Sequence, residues 1–280
     1  MKLAGVVVFY NPESIVESNV ASYIKYVDIL YVVDNSINDN SSLLKRHSAK
    51  IKYISNKRNL GIAKALNIAA KNAIKDGYDW LLTMDQDSRF ETKELKKMIS
   101  FIKIDKTDRL GLISPWHKTK YNFLKPEVKV EKIITVMSSG NIVSLKAYKK
   151  VGGWKDWMFI DCVDFEFCMN LNIHDYEVLR LNYIELEHNL GDIKVKRVLF
   201  KKFILGNHNF KRRYYMVRNV LYLNRLYGKY YPEYCLRLQH YLIRSIKNIV
   251  IAENDKFRKI LSMYRGYRDF KKGKTGEYDY

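Results

Sequence analysis

Two aspartates follow directly on an apolar stretch near residue 80. The segment WLLTMDQDSRF runs from Trp80 to Phe90 and contains Asp85 and Asp87. In an extended segment alternate side chains point the same way, so these two carboxylates share a side. Carboxylates this close repel each other unless a cation lies between them, and oxygen ligands suit Mg²⁺ or Mn²⁺. The spacing is compatible with a divalent metal site, but taken alone it is more often an exposed turn whose acids cap the next helix.

The elements that must position these acids alternate along the first part of the chain. LAGVVVFY, from Leu3 to Tyr10, is continuous and β-branched, which is typical of a buried strand. The pattern is repeated in ILYVVDNS, IKYIS and WLLTM, and helical spacing in IAKALNIAAKNAIKDG ends at Gly77. Strands that alternate with helices predict an α/β fold with a parallel sheet and crossover helices.

Polar residues stand at the carboxyl ends of three predicted strands. These are the pairs Tyr10 and Asn11, Asp34 and Asn35, and Asp85 and Asp87. In open α/β sheets, ligands bind beyond these strand ends, so the pattern predicts a ligand site along one edge. Gly61 precedes a helix whose first N–H groups could face a phosphate, although a plain helix start fits equally well.

The sequence argues against several other classes of protein. No G-x-G-x-x-G follows the first strand and no G-x-x-x-x-G-K-[ST] occurs, which disfavours a dinucleotide-binding Rossmann site and a P-loop NTPase. No apolar run is long enough to cross a bilayer, and the opening MKLAGVVVFYNP is interpreted as a strand rather than a signal peptide. Cys162, Cys168 and Cys235 form no C-x-x-C pair, which favours a reducing cytoplasm and no zinc site.

The net charge of +20 is concentrated in the last third of the chain. Residues 193–280 hold 22 Lys and Arg against 6 Asp and Glu, whereas residues 1–192 hold 28 against 24. This asymmetry predicts an anionic partner, which would be a membrane surface, a phosphorylated lipid or a nucleic acid.

Within this basic region, YCLRLQHYLIRSIKNIVI predicts an amphipathic helix. Its apolar stripe, at three-and-four spacing, consists of Cys235, Leu238, Leu242, Ile246 and Ile249. Arg237, Arg244 and Lys247 lie away from that stripe, so the outer side is basic. Two interpretations stay open, namely contact with an anionic membrane surface and packing on the rest of the protein with solvated basic side chains.

Several of these stretches, taken together, resemble a known family. The resemblance rests on seven segments in the family's order within residues 3–192: VVVFYNP, VVDNS, NLGIAKALN, LLTMDQDS, SSGNIVS, GGWKDWMFIDCVDFEFC and EHNLGD. They resemble the family 2 glycosyltransferases of GT-A fold, most closely the bacterial rhamnosyltransferase-like subgroup, as does HNFKRRYYMVRNVLYL further on. The resemblance implies a Rossmann-like, mostly parallel sheet flanked by helices in a catalytic domain at residues 1–192. It leaves a basic helical extension at residues 193–280.

The resemblance implies that a nucleotide-sugar donor binds along the strand ends. The residues it assigns to the donor are Tyr10, Asn11, Asp34, Asn35, Asn59, Gly61, Lys64 and Asp85. It makes Asp34 the partner of the pyrimidine ring, and it gives the ribose and the metal to Asp85 and Asp87. His188 in EHNLGD would complete the coordination of Mn²⁺ or Mg²⁺, although a half-buried structural histidine fits equally well. The cation would stabilise the departing nucleoside diphosphate.

The resemblance also assigns a catalytic base to FIDCVDFEFC. An acceptor hydroxyl must lose its proton as the donor bond breaks, and a positioned carboxylate can take it. Asp164 aligns with the family's acidic motif and is the expected base, with Asp161 as the alternative and Glu166 placing the acceptor. If the segment is helical, Asp161 and Asp164 share a face. The competing interpretation is a helix N-terminus stabilised by its acids.

The function that the resemblance implies is inverting, metal-dependent glycosyl transfer in the synthesis of a bacterial surface polysaccharide such as O-antigen or capsule. The subgroup indicates dTDP-rhamnose as donor, with UDP-galactose, UDP-galactofuranose and UDP-glucose as alternatives. The acceptor would be a glycan or a polyprenyl-diphosphate-linked glycan, at the inner face of the cell membrane.

Two other classes remain as alternatives to a glycosyltransferase. A sugar nucleotidyltransferase would carry a Gly-rich basic loop where this chain has FYNPES. A nucleic-acid-binding protein would explain the basic region but not the acidic pairs, since carboxylates repel phosphates unless a metal is present. No nucleic-acid partner is therefore expected.

Overall fold

The computed structural model describes residues 1–91, 93–105, 107–119, 125–188, 194–198 and 201–278, with the backbone alone at residues 188, 194–198 and 201–204. The chain divides into two compact units. The first comprises Met1–Asp156 and Asp164–Asn189, and the second comprises Trp157–Val163 and Leu190–Tyr280. It remains a prediction that residues 1–192 form the catalytic domain and that residues 193–280 form an extension.

The first unit opens with four parallel strands, as the alternation of elements predicts. They are β1 (Leu3–Phe9), β2 (Ile29–Asp34), β3 (Ile51–Ser55) and β4 (Trp80–Asp85). Their order in the sheet is β3-β2-β1-β4, with β1 paired in parallel to both β2 and β4. Every residue of β1 is buried, which explains why that strand is apolar throughout. The carboxyl ends of β1, β2 and β4 therefore meet at one edge of the sheet.

The second half of the same sheet has both parallel and antiparallel neighbours. Its strands are β5 (Ser88–Phe90), β6 (Leu110–Lys118), β7 (Val130–Lys132), β8 (Asn141–Ser144) and β9 (Glu177–His188). The order continues β4-β8-β6-β9-β5, with β7 also paired to β9, so nine strands of the described residues share one sheet. Only the β6–β9 pair is parallel among these described pairings, and a bulge between Pro115 and Trp116 interrupts its register.

Five described α-helices accompany this sheet. They are α1 (Val16–Tyr23), α2 (Ile62–Lys75), α3 (Glu94–Ile104), α4 (Leu145–Val151) and α5 (Val163–Ile173). The side chains of Leu95 and Met98 on α3 and of Val20 and Tyr23 on α1 join those of the strands in one core. Burial of such side chains contributes about 1.5–3 kcal/mol each to folding. The predicted α/β class with flanking helices is confirmed.

The second unit is mainly helical and basic, as predicted. A hairpin of β10 (Lys194–Val198) and β11 (Lys201–Leu205) precedes α6 (Phe210–Tyr227), α7 (Pro232–Ala252) and α8 (Lys256–Lys271). Backbone approach between α6 and α8 is close, because a Cβ at Gly266 would lie 2.5 Å from the carbonyl oxygen of Tyr214. No helix among the described residues is both long enough and apolar enough to cross a membrane.

Three buried charged side chains connect the helices of the second unit. One carboxylate oxygen of Glu253 lies 2.6 Å from a guanidinium nitrogen of Arg213, and the other lies 2.8 Å from Nζ of Lys259. All three side chains are almost inaccessible to solvent. A buried carboxylate with two cationic partners fixes how the helices pack, because loss of one partner would leave an uncompensated charge.

Candidate functional site

Hydrogen bonds between backbone groups and side chains connect the ends of β1, β2 and β4. The amide of Tyr10 donates to Oε1 of Gln86 (2.9 Å), and Nε2 of Gln86 donates to the carbonyl of Tyr10 (3.3 Å). The amide of Asn11, which has φ of 46°, donates to Oγ of Ser36 (2.7 Å). Gln86 and Ser36 therefore position the exposed ring of Tyr10 and the Asn11 turn. Neither was singled out in the sequence, since their partners are 76 and 25 residues away.

Asp34 is completely buried at the end of β2. Its carboxylate accepts hydrogen bonds from the amide of Ser36 (2.7 Å), from Nδ2 of Asn40 (2.8 Å) and from the hydroxyl of Tyr53. Burial alone would raise the pKa of Asp34, but the hydrogen bonds from Ser36, Tyr53 and Asn40 outweigh it and lower the pKa below the usual value. The ionised carboxylate therefore holds the turn after β2 in place, and its contact with a pyrimidine ring stays a prediction.

Removal of one of these donors should weaken the fold in a pH-dependent way. Tyr53→Phe deletes a hydrogen bond to a charged acceptor, so we expect a loss of about 1.5–3 kcal/mol in the free energy of unfolding at pH 7. Because the folded pKa of Asp34 is lowered, its stabilisation is full above pH 3.8 and is lost as the pH falls through the folded pKa. Urea unfolding of both proteins over a pH series from 7 to 2 measures this difference. A deficit that stays constant over the whole series would contradict it.

A network of amide side chains joins the ends of β2 and β3 to the start of α2. Nδ2 of Asn35 donates to the carbonyl of Gly61 (3.2 Å), and Oδ1 of Asn59 accepts from the amide of Gly61 (2.9 Å). Gly61 has φ of 81° and ψ of 164°, a conformation that favours glycine. Lys64 is exposed in the first turn of α2. Since the Gly61 amide is bonded to Asn59, the first-turn amides of α2 are the better donors for a phosphate.

The segment with the paired acids is a turn, not a continuous strand. β4 ends at Asp85, residues 86 and 87 form a turn, and β5 begins at Ser88. The alternation of side chains in an extended segment therefore does not extend to Asp87. Asp85 is half-buried and Asp87 is exposed. Burial raises the pKa of the Tyr23 hydroxyl, and the negative charge of Asp85 adds to this rise.

Two of the segments predicted to hold a metal are neighbours along the backbone. Ser88, which follows Asp87, is paired with His188 at the end of β9, so the backbone brings residue 188 beside the turn. The side chain of His188 lies outside the described residues. Among the described residues no group of three His, Cys, Asp or Glu side chains is close enough to hold a metal. Two carboxylates at a turn suit a hard divalent cation, and their ligand role stays a prediction.

The SSG segment packs directly on the end of β4. The amide of Asp85 donates to Oγ of Ser139 (3.1 Å), and the amide of Gly140 donates to the carbonyl of Thr83 (2.7 Å). A ring nitrogen of buried His117 lies 2.7 Å from the carbonyl oxygen of Ser139. These contacts position the Asp85 backbone. Ser139 lies in the SSGNIVS segment that was singled out in the sequence, whereas His117 was missed because its partner is 22 residues away.

Gly140 is required by two features of this segment. Its φ is 77°, and a Cβ would lie 2.8 Å from Cδ2 of Leu186 and 3.0 Å from Cγ of Pro115. We expect Gly140→Ala to reduce the free energy of unfolding by about 2–4 kcal/mol, because backbone strain adds to overpacking. The matched control is Gly152→Ala, where φ is 81° and no described heavy atom lies within 4 Å. It should cost only about 1–2 kcal/mol. Equal losses in thermal or urea unfolding would contradict the overpacking.

Asp164 and Glu166 lie in the first turn of α5 in the first unit. Asp164 is half-buried and Oδ1 accepts from the amide of Phe165 (3.0 Å), whereas Glu166 is completely buried. Burial, reinforced by the charges of Asp164 and Glu166, raises the pKa of the Cys168 thiol. Cys168 is therefore a core residue and not a nucleophile.

An amide on α2 and an aromatic cluster support this acidic turn. Nδ2 of Asn67 donates to the carbonyl of Trp154 (2.7 Å), and Oδ1 of Asn67 accepts from the hydroxyl of Tyr148 (2.7 Å). The ring of Trp154 packs on that of Phe167 on α5 at 4.6 Å between centroids. Helix α2, which follows Gly61, is thus connected to helix α5, which carries Asp164.

Asp161 lies in the second unit and precedes α5. Because α5 begins at Val163, Asp161 and Asp164 do not share a helical face. The Asp161 carboxylate oxygens lie 3.0 and 3.2 Å from Nε of Arg212. Burial raises the pKa of Asp161, and the charges of Arg212 and Arg213 oppose this rise. The carboxylate is therefore an ion-pair partner of Arg212 within its own unit.

The segment around Asp161 is strained and is held by side chains of α6. Phe159, Asp161 and Cys162 all have φ between 61° and 67°. Such left-handed conformations cost about 1–2 kcal/mol each in non-glycine residues. Nδ2 of Asn219 donates to the carbonyls of Met158 (2.9 Å), Ile160 (2.7 Å) and Asp161 (2.9 Å). Fully buried Arg218 bonds the carbonyls of Trp157 and Met158.

Asn219 should therefore contribute strongly to the stability of the second unit. Asn219→Ala removes the two N–H groups that three buried or partly buried carbonyls share, so we expect a loss of about 2–4 kcal/mol in the free energy of unfolding. Asn248→Ala on α7 is the matched control and should change it by less than about 0.5 kcal/mol. Urea unfolding compares the two variants, and limited proteolysis reports whether residues 157–162 become accessible. Equal stabilities would show that the segment is held by other contacts.

Glycosyltransferases are among the solved structures with a similar fold. GalNAc-T7 with UDP, GalNAc and Mn²⁺ matches 84% of this chain and 49% of its own length, with 13% identity and a TM-score of 0.61. S. aureus TarS 1-349 in complex with UDP-GlcNAc matches 98% and 93%, with 14% identity and a TM-score of 0.57. This chain covers only 35% of the length of a further S. aureus TarS structure. At these identities the comparison shows the GT-A fold that the sequence motifs imply.

Sequence comparison agrees with the fold. The chain is 29% identical over 243 residues to a protein of Shigella flexneri named dTDP-rhamnosyl transferase RfbF. The aligned region covers 79% of this chain and 79% of that protein. The family model of glycosyl transferase family 2 matches residues 6–162. This range contains the ends of β1, β2 and β4, the SSG segment and the strained segment up to Cys162. More than half of the sequence thus fits the family, and the chain belongs to glycosyl transferase family 2.

Proposed function

We propose that this protein transfers rhamnose from dTDP-rhamnose to a glycan or lipid-linked acceptor, with inversion at the anomeric carbon. The observation that carries the choice of donor is the similarity to dTDP-rhamnosyl transferase RfbF along 79% of each chain. UDP-galactose, UDP-galactofuranose and UDP-glucose are the alternative donors, and similarity to TarS with UDP-GlcNAc supports a nucleotide sugar in general.

In this proposal the nucleotide lies along the carboxyl ends of β1, β2 and β4. The exposed ring of Tyr10 and the Asn11 turn contact the nucleoside, with the turn after β2 held by buried Asp34. Asn35 and Asn59 fix the conformation of Gly61, so that the first turn of α2 and Lys64 face the diphosphate. Asp85 would also reach the ribose.

Asp85, Asp87 and His188 would hold Mn²⁺ or Mg²⁺ in this proposal. The cation supplies Lewis-acid stabilisation of the departing nucleoside diphosphate when bound. The fit rests on two carboxylates at the turn after β4 and on the β5–β9 pairing that brings residue 188 beside them. The neighbour GalNAc-T7 was solved with Mn²⁺, which agrees with an oxygen-rich site for a divalent cation.

Asp164 is the proposed catalytic base. Glu166, which is completely buried, would help to place the acceptor only through the turn of α5 that carries Asp164. The half-buried Asp164 carboxylate at the start of α5 is accessible to an acceptor hydroxyl and would take its proton as the bond to the nucleotide breaks. Asp161 is the weaker candidate, because its carboxylate is paired with Arg212 in the second unit. A base on the side of the sugar opposite to the leaving group gives inversion.

The acceptor and the place of reaction are also proposed. A polyprenyl-diphosphate-linked glycan at the inner face of the cell membrane would suit an enzyme with a strongly basic second unit. The product would then be a surface polysaccharide such as O-antigen or capsule.

A panel of nucleotide sugars tests the proposal. Purified protein is incubated with dTDP-rhamnose and with the three UDP sugars, and release of the nucleoside diphosphate is measured with Mn²⁺, with Mg²⁺ and with EDTA. We expect metal-dependent release that is fastest with dTDP-rhamnose. Release from a UDP sugar alone would replace the donor, and release that is unchanged in EDTA would exclude the metal role of Asp85 and Asp87.

A further inference from the structure

Helix α7 has an apolar stripe that faces away from its own unit. Cys235, Leu242 and Ile249, spaced seven residues apart, are buried, the last two beside Met216 and Val220 of α6. The residue that follows each of them is also apolar but exposed. These residues are Leu236 (51% exposed), Ile243 (64%) and Val250 (55%). Residues seven apart lie within about 20° of each other around a helix, so the three form a continuous stripe about 21 Å long.

The sequence pattern did not reveal this second stripe. It places Ile246 on the inward side with Leu242 and Ile249, whereas Ile246 is 41% exposed in the structure. Ile246 precedes Val250 by one turn and therefore widens the exposed stripe. Both sides of α7 are apolar, and packing within the unit accounts for only one of them.

Positive charge flanks the exposed stripe. Arg237 and Arg244 each follow a stripe residue directly, and Lys247 lies one turn after Ile243, all three with exposed side chains. Within α7, whose residues the structure describes throughout, Glu233 in the first turn is the one acidic side chain. The helix thus presents apolar side chains beside three cations and has almost no acidic side chains. This arrangement is complementary to a surface with an anionic outer layer and an apolar interior.

We propose that this stripe and its basic border dock on an anionic lipid bilayer, with α7 lying in the plane of the membrane surface. The side chains of Leu236, Ile243 and Val250 enter the boundary between headgroups and acyl chains, while Arg237, Arg244 and Lys247 contact lipid phosphates. This deepens the proposed function, on which it rests for the lipid-linked acceptor, by naming the face that meets the membrane. Exposed Tyr230 and Phe257, which flank the two ends of α7, suit the same interface.

Vesicle sedimentation tests the proposal with two variants of the full chain. One replaces Leu236, Ile243 and Val250 with serine, and the other replaces Arg237, Arg244 and Lys247 with glutamine. Wild-type protein should bind phosphatidylglycerol-containing vesicles and bind pure phosphatidylcholine vesicles far more weakly. The serine variant should lose about 100-fold in partitioning onto the anionic vesicles, and the glutamine variant about fivefold per charge.

The matched control carries the same kind of substitution elsewhere, namely serine at Ile15, Ile104 and Val128, which are equally exposed in the first unit. It should bind vesicles like wild type. Equal binding by the serine variant and this control would overturn the proposal. A second outcome would also overturn it. If light scattering shows a wild-type dimer that the serine variant cannot form, and neither protein binds vesicles, the stripe contacts a second copy of the chain.

Donor hydrolysis in solution separates this inference from the proposed function. The serine and glutamine variants should release nucleoside diphosphate from the donor at the wild-type rate, because the substitutions lie outside the donor site. If no nucleotide sugar is hydrolysed but vesicle binding follows the expected order, the proposed function fails and the docking surface stands. If hydrolysis proceeds and vesicle binding is absent, only the docking surface is lost.

Discussion

Asp87→Asn is expected to lower turnover of the donor by about 10³-fold, which corresponds to about 4 kcal/mol of transition-state stabilisation. Asp87 is exposed in the turn after β4, so the change should leave the fold intact. Asparagine keeps the shape of the side chain but removes the charge that a divalent cation needs. Nucleoside diphosphate release gives the rate, and isothermal titration with donor, with and without Mn²⁺, gives the metal-dependent part of binding.

The control for Asp87 is an exposed acid that is near in sequence but not part of the turn. Glu91 makes a 3.9 Å ion pair with Lys118 at the surface, and Glu91→Gln should leave both turnover and donor binding unchanged. If Asp87→Asn retained metal-dependent binding and most of its turnover, the metal would be held elsewhere. The parallel variant Asp85→Asn then distinguishes a site built on Asp85 alone from no site at this turn.

Asp164→Asn should stop sugar transfer while donor binding is retained. A general base contributes about 10²–10⁴-fold to rate, and we expect a loss in that range when the amide replaces the carboxylate. The Asp164 side chain lies in the first turn of α5 and accepts a hydrogen bond from the Phe165 amide. The side-chain oxygen of asparagine can accept the same bond, so the turn should be retained. Transfer is measured with an acceptor glycan, and donor affinity is measured by titration in the presence of metal.

Two further variants make the assignment of the base decisive. Asp175→Asn, beyond the opposite end of α5, is the matched control and should transfer sugar at the wild-type rate. Asp161→Asn should lower stability through loss of the Arg212 ion pair and lower transfer only as far as the fold is weakened. The base would be Asp161 if the Asp164→Asn variant transferred sugar fully and a well-folded Asp161→Asn variant transferred none.

The part of the fold that local pattern determines was predictable. β1, β2 and β4 are apolar runs whose period and length indicate buried strands, and the polar residues after them lie at one edge because parallel strands point the same way. The helical and basic character of the last third was likewise readable, because spacing and charge are local properties. The order β4-β8-β6 was not, since antiparallel neighbours join strands that are far apart in the chain.

The supports of the candidate site were not predictable from one sequence. Gln86 bonds to Tyr10 across 76 residues, Asn67 to Trp154 across 87, and Asn219 to Asp161 across 58. An amide side chain in isolation gives no indication of its partner, whereas an aspartate pair after a strand does suggest a ligand. The start of α5 at Val163 was also missed, because the residues before it are held in left-handed conformations by α6 rather than by local preference.

The left-handed segment at Phe159, Asp161 and Cys162 has a consequence for engineering this enzyme. Glycine at position 162 would relieve about 1 kcal/mol of backbone strain, but it would also remove a side chain that packs on the core of the second unit and raise the entropy of the unfolded chain. The same relief would loosen the peptide that leads directly into Asp164, two residues further along. Cys162 is therefore a poor position for stabilising substitutions, because the relief of strain is offset and the segment before Asp164 becomes looser.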